Sequence, residues 1–249
     1  MFIIIKTAIK KMLPNSLLII IHNIRQQIES SKPKYISTRK VFENIYETGA
    51  WGISRNPLQP FYSGSGSHDI EIVLPYLKAV EDFLRAFERK PNVVDLGCGD
   101  FSIGSRVRHL CNEYIACDIV SPLIEFNKEK FAELGVDFRV LDLTKDELPS
   151  ADIVFIRQVF QHLSNKQILN ALPQLCSKYR YVVFTDHLPD TRDFQHNLDI
   201  PPGPHSRLQF NSGVVLTSAP FNIKPTNQKR ICEVPELDGL IVTKIYEFR

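Results

Sequence analysis

The sequence contains no CxxC pair, and its five cysteines (Cys98, Cys111, Cys117, Cys176 and Cys232) are odd in number. Neither a disulfide framework nor a cysteine-rich zinc site is therefore expected, and a reducing compartment fits best. Net charge is nearly absent: 30 Lys and Arg face 28 Asp and Glu, leaving +2. That balance speaks against a large phosphate-binding face, so nucleic acid is not an expected partner. Long apolar runs are missing as well. In the N-terminal region none exceeds the five residues of Leu17–Ile21, where a bilayer-spanning helix needs roughly 20. No small-residue cleavage signal closes that run, which argues against a secretory signal. There is no internal repeat. What remains is ordinary: 249 residues, 43% hydrophobic and 23% charged, enough for a globular domain with a real core.

Three regions differ in character. Residues 1–34 form a basic, apolar extension, and residues 1–50 carry eight Lys or Arg against three Asp or Glu. Such a segment suits packing on the domain or on a second subunit; peripheral contact of 1–30 with an anionic membrane is the other reading. Residues 35–90 read as a helical cap. Helices are expected over 38–48 and 71–89 by apolar spacing, the second with its start drawn toward Pro75. Between them lies an irregular stretch holding Trp51, Phe61, Tyr62 and the run Ser63-Gly64-Ser65-Gly66-Ser67.

From residue 91 to 249 short apolar strands alternate with helices. Strands are expected at 92–96, 113–117, 137–141, 151–157 and 181–185, with helices at 102–110, 121–133 and 164–176. Such alternation implies a parallel sheet with helices on both faces. Right-handed crossovers put the strand C-termini on one edge, where ligands bind. Arg230–Val234 and Leu240–Phe248, joined by Asp238-Gly239, read as a closing hairpin. The proline-rich stretch 187–227 is long enough to cover a site.

The sharpest motif is Val93-Val94-Asp95-Leu96-Gly97-Cys98-Gly99-Asp100-Phe101, placed after a strand. Gly97 and Gly99 permit a tight turn and close approach of a ligand. Asp95 and Asp100 would repel a dinucleotide pyrophosphate, and the GxGxxG spacing is incomplete, which argues against NAD. Asp118 ends the second strand, 23 residues after Asp95, where a carboxylate can accept both hydroxyls of a ribose. Asp142 ends the third, where it can accept from an adenine amino group.

These residues, in VVDLGCGDFSIG, IACDIV and VLDLTKDELPSADIVFIRQVFQHLS, resemble the class I S-adenosylmethionine (SAM)-dependent methyltransferases. Trp51-Gly52 with the SGSGS run, the CGDF form of the glycine loop, and Asn197, Asp199, Ile200, Arg207, Leu208 and Ala219–Asn222 resemble one branch of that superfamily. The resemblance implies a Rossmann-like α/β fold: a mostly parallel seven-stranded sheet in the order 3-2-1-4-5-7-6, strand seven antiparallel. It implies SAM as cofactor, with Asp95, Gly97, Cys98 and Gly99 beside its methionine part, Asp118 at the ribose, and Ile119, Asp142 and Leu143 around the adenine. Arg157 would line the boundary between cofactor and substrate.

The acceptor is less constrained, because this fold serves many chemistries. A small molecule or glycan methylated at oxygen is the expected substrate, with Phe61, Tyr62 and Phe210 available to stack on a ring. The branch is similar to enzymes of surface-polysaccharide or secondary-metabolite assembly. An oxygen acceptor benefits from a general base. His162, following strand four, and His187, following strand five, are the candidates, since histidine titrates near pH 6.5; Asp186 and Asp199 are others. The DPPY-like segment of amino methyltransferases is replaced by Ile156-Arg157-Gln158-Val159-Phe160. Nucleic-acid or protein methylation, and a non-catalytic SAM-binding interaction protein, are the alternatives. The acids and histidines between 186 and 196 show no recognised metal spacing, so no metal is expected. The localisation expected is cytoplasmic, with peripheral membrane contact as a variant.

Overall fold

The computed structural model describes residues 36–248, apart from Arg192. The expectations for the basic extension therefore lie outside the described residues.

Seven strands form one sheet: β1 (Val93–Leu96), β2 (Tyr114–Asp118), β3 (Asp137–Val140), β4 (Ile153–Arg157), β5 (Tyr181–Pro189), β6 (Asn227–Glu236) and β7 (Gly239–Glu247). Their order is β3-β2-β1-β4-β5-β7-β6, as expected. The first five run parallel, while β7 is antiparallel to both β5 and β6. Residues of β1 and β4 are buried on both faces, which is why these strands read as unbroken Val/Ile/Phe runs rather than alternating ones. Successive side chains point to opposite sides. Val94, Leu96, Val154 and Ile156 thus join one core with Phe42 and Leu172, and Val93, Ile153 and Phe155 join another with Val73 and Val80.

Among the described residues, four helices of ten residues or more frame the sheet: α1 (Thr38–Glu47), α2 (Ile70–Arg85), α3 (Ser121–Lys130) and α4 (Asn165–Lys178). Helix α2 begins before Pro75, not near it. Asp69 caps it by accepting a bond from Glu71 N, and burial of Ile72 and Val73 holds the turn that the proline leaves short of one bond. Ser164 and Gln167 close a reciprocal capping box on α4. The helix expected over 102–110 is instead one α-turn, Gly104–Val107, followed by a 3-10 turn.

Strand β5 runs four residues past its expected end. The hairpin β6–β7 pairs with it as far as Pro189↔Gly239, so the extension is templated by the C-terminal chain. His187, expected in a loop after the strand, therefore sits within it.

Candidate functional site

The C-terminal ends of β1 to β4 open into a cavity of about 350 Å³. The sheet order dictates what lines it. Reading across neighbouring strands, β3 is followed two residues on by Asp142, β2 ends at Asp118, β1 runs into the Gly97–Gly99 loop, and β4 ends at Arg157. Asp95, Gly97, Cys98, Gly99, Asp118, Ile119, Asp142, Leu143, Arg157, His162 and His187 all line this one cavity.

The glycine loop has little room for anything else. Gly97 and Gly99 take φ values of +76° and +55°, which L side chains rarely adopt. A Cβ on Gly97 would collide with the Val159 methyls, and one on Gly99 with Ser63 Oγ. Asp118 is anchored in turn: Oδ2 accepts from Gly99 N at 3.1 Å and Oδ1 from Val120 N at 3.0 Å. A carboxylate offers about four lone-pair positions, so two acceptor sites remain for a ligand's hydroxyls. Burial pushes the Asp118 carboxyl up to about 6, against the Val120 and Gly99 backbone N–H bonds that pull it down. Burial likewise lifts Asp95 to about 7, although the Tyr114 hydroxyl donates to it at 3.0 Å. Asp142 Oδ1 accepts from Thr144 N and Oγ1 at 3.0 and 2.6 Å.

The SGSGS segment is clasped over the loop. Ser63 N donates to Asp100 Oδ2 at 3.0 Å, and Asp100 N donates to Ser63 Oγ at 2.9 Å. Tyr46 shares a hydrogen bond with the same Ser63 hydroxyl at 3.1 Å. His68 Nε2 lies 2.6 Å from Asp100 Oδ2. Burial raises the Asp100 carboxyl, but the His68 hydrogen bond and charge, with Ser102, bring it below the usual carboxylate range.

The opposite wall is built from distant segments. Trp51 packs on His162 with ring centroids 4.9 Å apart and donates from Nε1 to Pro204 O at 3.1 Å. The Gln161 amide nitrogen lies 3.1 Å from His162 Nε2. Burial drives His162 down to about 4, so it is neutral at pH 7. His187 differs. Its Nε2 is 3.0 Å from the Glu236 carbonyl and its Nδ1 is 3.6 Å from the Glu236 carboxylate. Burial lowers it, and Glu236 works in the opposite direction.

Several expected residues lie elsewhere. Asp199 is outside the cavity lining. It accepts from Asn165 N at 2.7 Å and so braces the start of α4. Asp186 is also outside, with Oδ2 accepting from Val214 N. The rings expected to stack on an acceptor are engaged or distant. Phe61 packs against Tyr46 and Phe126, Tyr62 stacks on His68 at 4.5 Å, and Phe210 lies outside the lining. The aromatics of α1 and the following segment that line the cavity are Phe42, Tyr46 and Trp51. Glu236, Gln161 and Tyr46 were missed by sequence reasoning. Tyr46 had a signal, one helical turn after Phe42 on α1; Glu236 had none, because it reaches the cavity only through the β6–β7 hairpin. Among the described residues, no group of three His, Cys, Asp or Glu is placed to hold a metal ion. None of their helices is long and apolar enough to cross a membrane.

Residues 94–177 match a family model described as a methyltransferase domain. No curated protein matches the sequence. Among solved structures, the chain is similar to the N-methyltransferase NodS of Bradyrhizobium japonicum WM9, determined with S-adenosyl-L-homocysteine. The TM-score is 0.59 at 10% identity, over 86% of this chain and 100% of that one. It is also similar to magnesium protoporphyrin IX methyltransferase of Synechocystis PCC 6803, determined with SAM. There the TM-score is 0.56 at 13% identity, over 87% of this chain and 100% of that one. The strand order, the glycine loop at the end of β1 and these likenesses converge: the chain has the class I methyltransferase fold, and its residues 94–177 match the methyltransferase-domain model.

Proposed function

We propose that this protein is a SAM-dependent methyltransferase acting at an oxygen of a small-molecule or glycan acceptor. One observation carries the cofactor reading: Asp142, Asp118, the Gly97–Gly99 turn and Arg157 stand in strand order along a single cavity. The donor set suits the molecule from end to end. Asp142, with Leu143 and Ile119, would hold an adenine. Asp118 keeps acceptor positions open for two ribose hydroxyls. The glycines at 97 and 99 let the methionine part lie against the backbone of the turn. When bound, SAM supplies an electrophilic methyl group on a positively charged sulfur.

The chain's own residues then position an acceptor and manage its proton. Orientation supplies much of the rate in such a transfer. Trp51, Gln161, Pro204 and Ser206 wall the far side of the cavity, and the covering stretch 187–227 limits it to a compact acceptor. Of the two histidines, His187 is the better base. His162 at about 4 is too weak to take a proton efficiently near neutrality. In His187, Nε2–H donates to the Glu236 carbonyl, leaving Nδ1 as the proton acceptor, and the Glu236 carboxylate stabilises the imidazolium that forms. Residues 35–90 act as the cap of this domain. The near-neutral charge favours neither nucleic acid nor any polyanion, and the basic residues 1–30 suit a cytoplasmic enzyme working beside a membrane-held acceptor.

Isothermal titration with S-adenosylhomocysteine tests the reading. Wild type binds in the micromolar range, and Asp118→Ala loses most of that affinity. Absence of binding by folded wild type, with no competition by SAM, would overturn it.

A further inference from the structure

Arg157 is the one Lys or Arg among the described residues that line the cavity, and four carboxylates, Asp95, Asp118, Asp142 and Glu236, line it too. A cavity this acidic suits a ligand bearing a sulfonium and an ammonium. It does not suit the third charge of the proposed cofactor, the carboxylate of its amino-acid tail, unless a cation is provided. Arg157 ends β4, the strand beside β1 and its glycine turn. Its plane is held on one side by the Tyr76 ring, with Cζ 4.6 Å from the centroid. Nη1 donates to Gln158 Oε1 at 3.0 Å and to Ser67 Oγ at 3.4 Å, and Nη2 donates to Gly66 O at 2.6 Å. A guanidinium has five N–H donors. Nε is buried without a partner, and one Nη2 proton is likewise uncommitted.

We infer that Arg157 recognises the carboxylate of the cofactor's amino-acid tail, making it the residue that distinguishes whole S-adenosyl amino acids from decarboxylated or shortened thioadenosines. The inference rests on the cofactor reading above. The guanidinium is rigidly oriented, carries unused donors, and stands alone as a cation among the carboxylates of the lining. One fixed cation within an otherwise acidic lining matches a zwitterion rather than a simple cation. The same Arg157 bonds hold Gly66 and Ser67, so the strap and the cofactor tail are read by one side chain.

A competing role is purely structural: Arg157 pins the SGSGS strap and touches no ligand. Calorimetric titration of two compounds separates the two. S-adenosylhomocysteine carries the carboxylate; its decarboxylated analogue, 5′-deoxy-5′-(3-aminopropylthio)adenosine, keeps the ammonium and lacks only that group. In wild type the analogue binds roughly ten- to a hundredfold more weakly, the range for one charge-assisted pair. In Arg157→Met the two affinities converge to within about threefold. Arg157→Lys, a point charge without the fork, restores part of the preference and serves if the methionine variant does not fold. Equal binding of both compounds by wild type would overturn the inference, as would an unchanged preference in either variant. Failure of wild type to bind either compound would instead remove the cofactor reading itself.

Discussion

Arg207 offers the sharpest test of how the covering segment is built. Its side chain is fully buried. Nε donates to Leu198 O at 2.7 Å, Nη1 to Phe160 O at 2.9 Å, and Nη2 to Leu163 O at 2.7 Å and Asn165 Oδ1 at 3.0 Å. Phe160–His162 is the turn that carries His162 into the cavity wall, so one guanidinium ties the covering segment to the site. Arg207→Met leaves the Leu198 and Leu163 carbonyls without a donor in the core, while Phe160 O keeps the Leu163 N–H. Each buried unsatisfied group costs about 1–3 kcal/mol, and the losses are not additive. A total of about 3–5 kcal/mol is expected, the range found when one partner of a buried charged network is removed. Against a domain stability of roughly 5–15 kcal/mol this is a large share. With a urea m-value of about 1–3 kcal/mol/M, the midpoint falls by at least ~1 M. Arg207→Lys, with three donors at a single nitrogen, recovers part of the loss. A midpoint shift below ~0.3 M for Arg207→Met, in a protein that unfolds in one step, would refute this account of the segment.

Two further outcomes follow from the same structure. Folded-state values of about 7 for Asp95 and Asp186 and about 6 for Asp118 lie above the unfolded value of about 3.9. Between those limits the three carboxyls bind extra protons when folded, against those that His162 and His187, both lowered by burial, give up below about 6.5; the three outweigh the two, so stability falls as pH rises from about 4 to about 7 and urea midpoints should decrease. Cofactor affinity should run the other way, weakening as Asp118 protonates below about pH 6, and Asp118→Asn should flatten that profile. Separately, Ser164→Ala removes the reciprocal cap of α4 and should cost about 1 kcal/mol in urea unfolding; a loss under ~0.3 kcal/mol would mean the cap contributes little.

Much of this site was legible because its signals are local. Short Val/Ile/Phe runs separated by helical spacing fixed the strands, and the strand ends located Asp95, Gly97, Gly99, Asp118 and Asp142. Parallel crossovers left one edge for them to share. Asp199 was misplaced because an acid in a proline-rich stretch has no periodicity to show which way it points; it braces α4 at Asn165 N. Phe61 and Tyr62 were assigned to a ligand because an aromatic loop carries no record of its partners, which are Tyr46, Phe126 and His68.

The sequence by itself determined the sheet, its order by resemblance, the glycine turn and the acidic ends of the strands. Those features depend on neighbours within one strand, turn or helix, where a period of two or of 3.6 residues records burial. Only the tertiary structure decided which histidine is paired and which charge is alone. His187 meets Glu236 across 49 residues, Ser65 meets Glu236 across 171, and Arg157 reaches Gly66 across 91. Contacts at such separations are set by strand register and by the path of the covering segment, and no local pattern of residues records them.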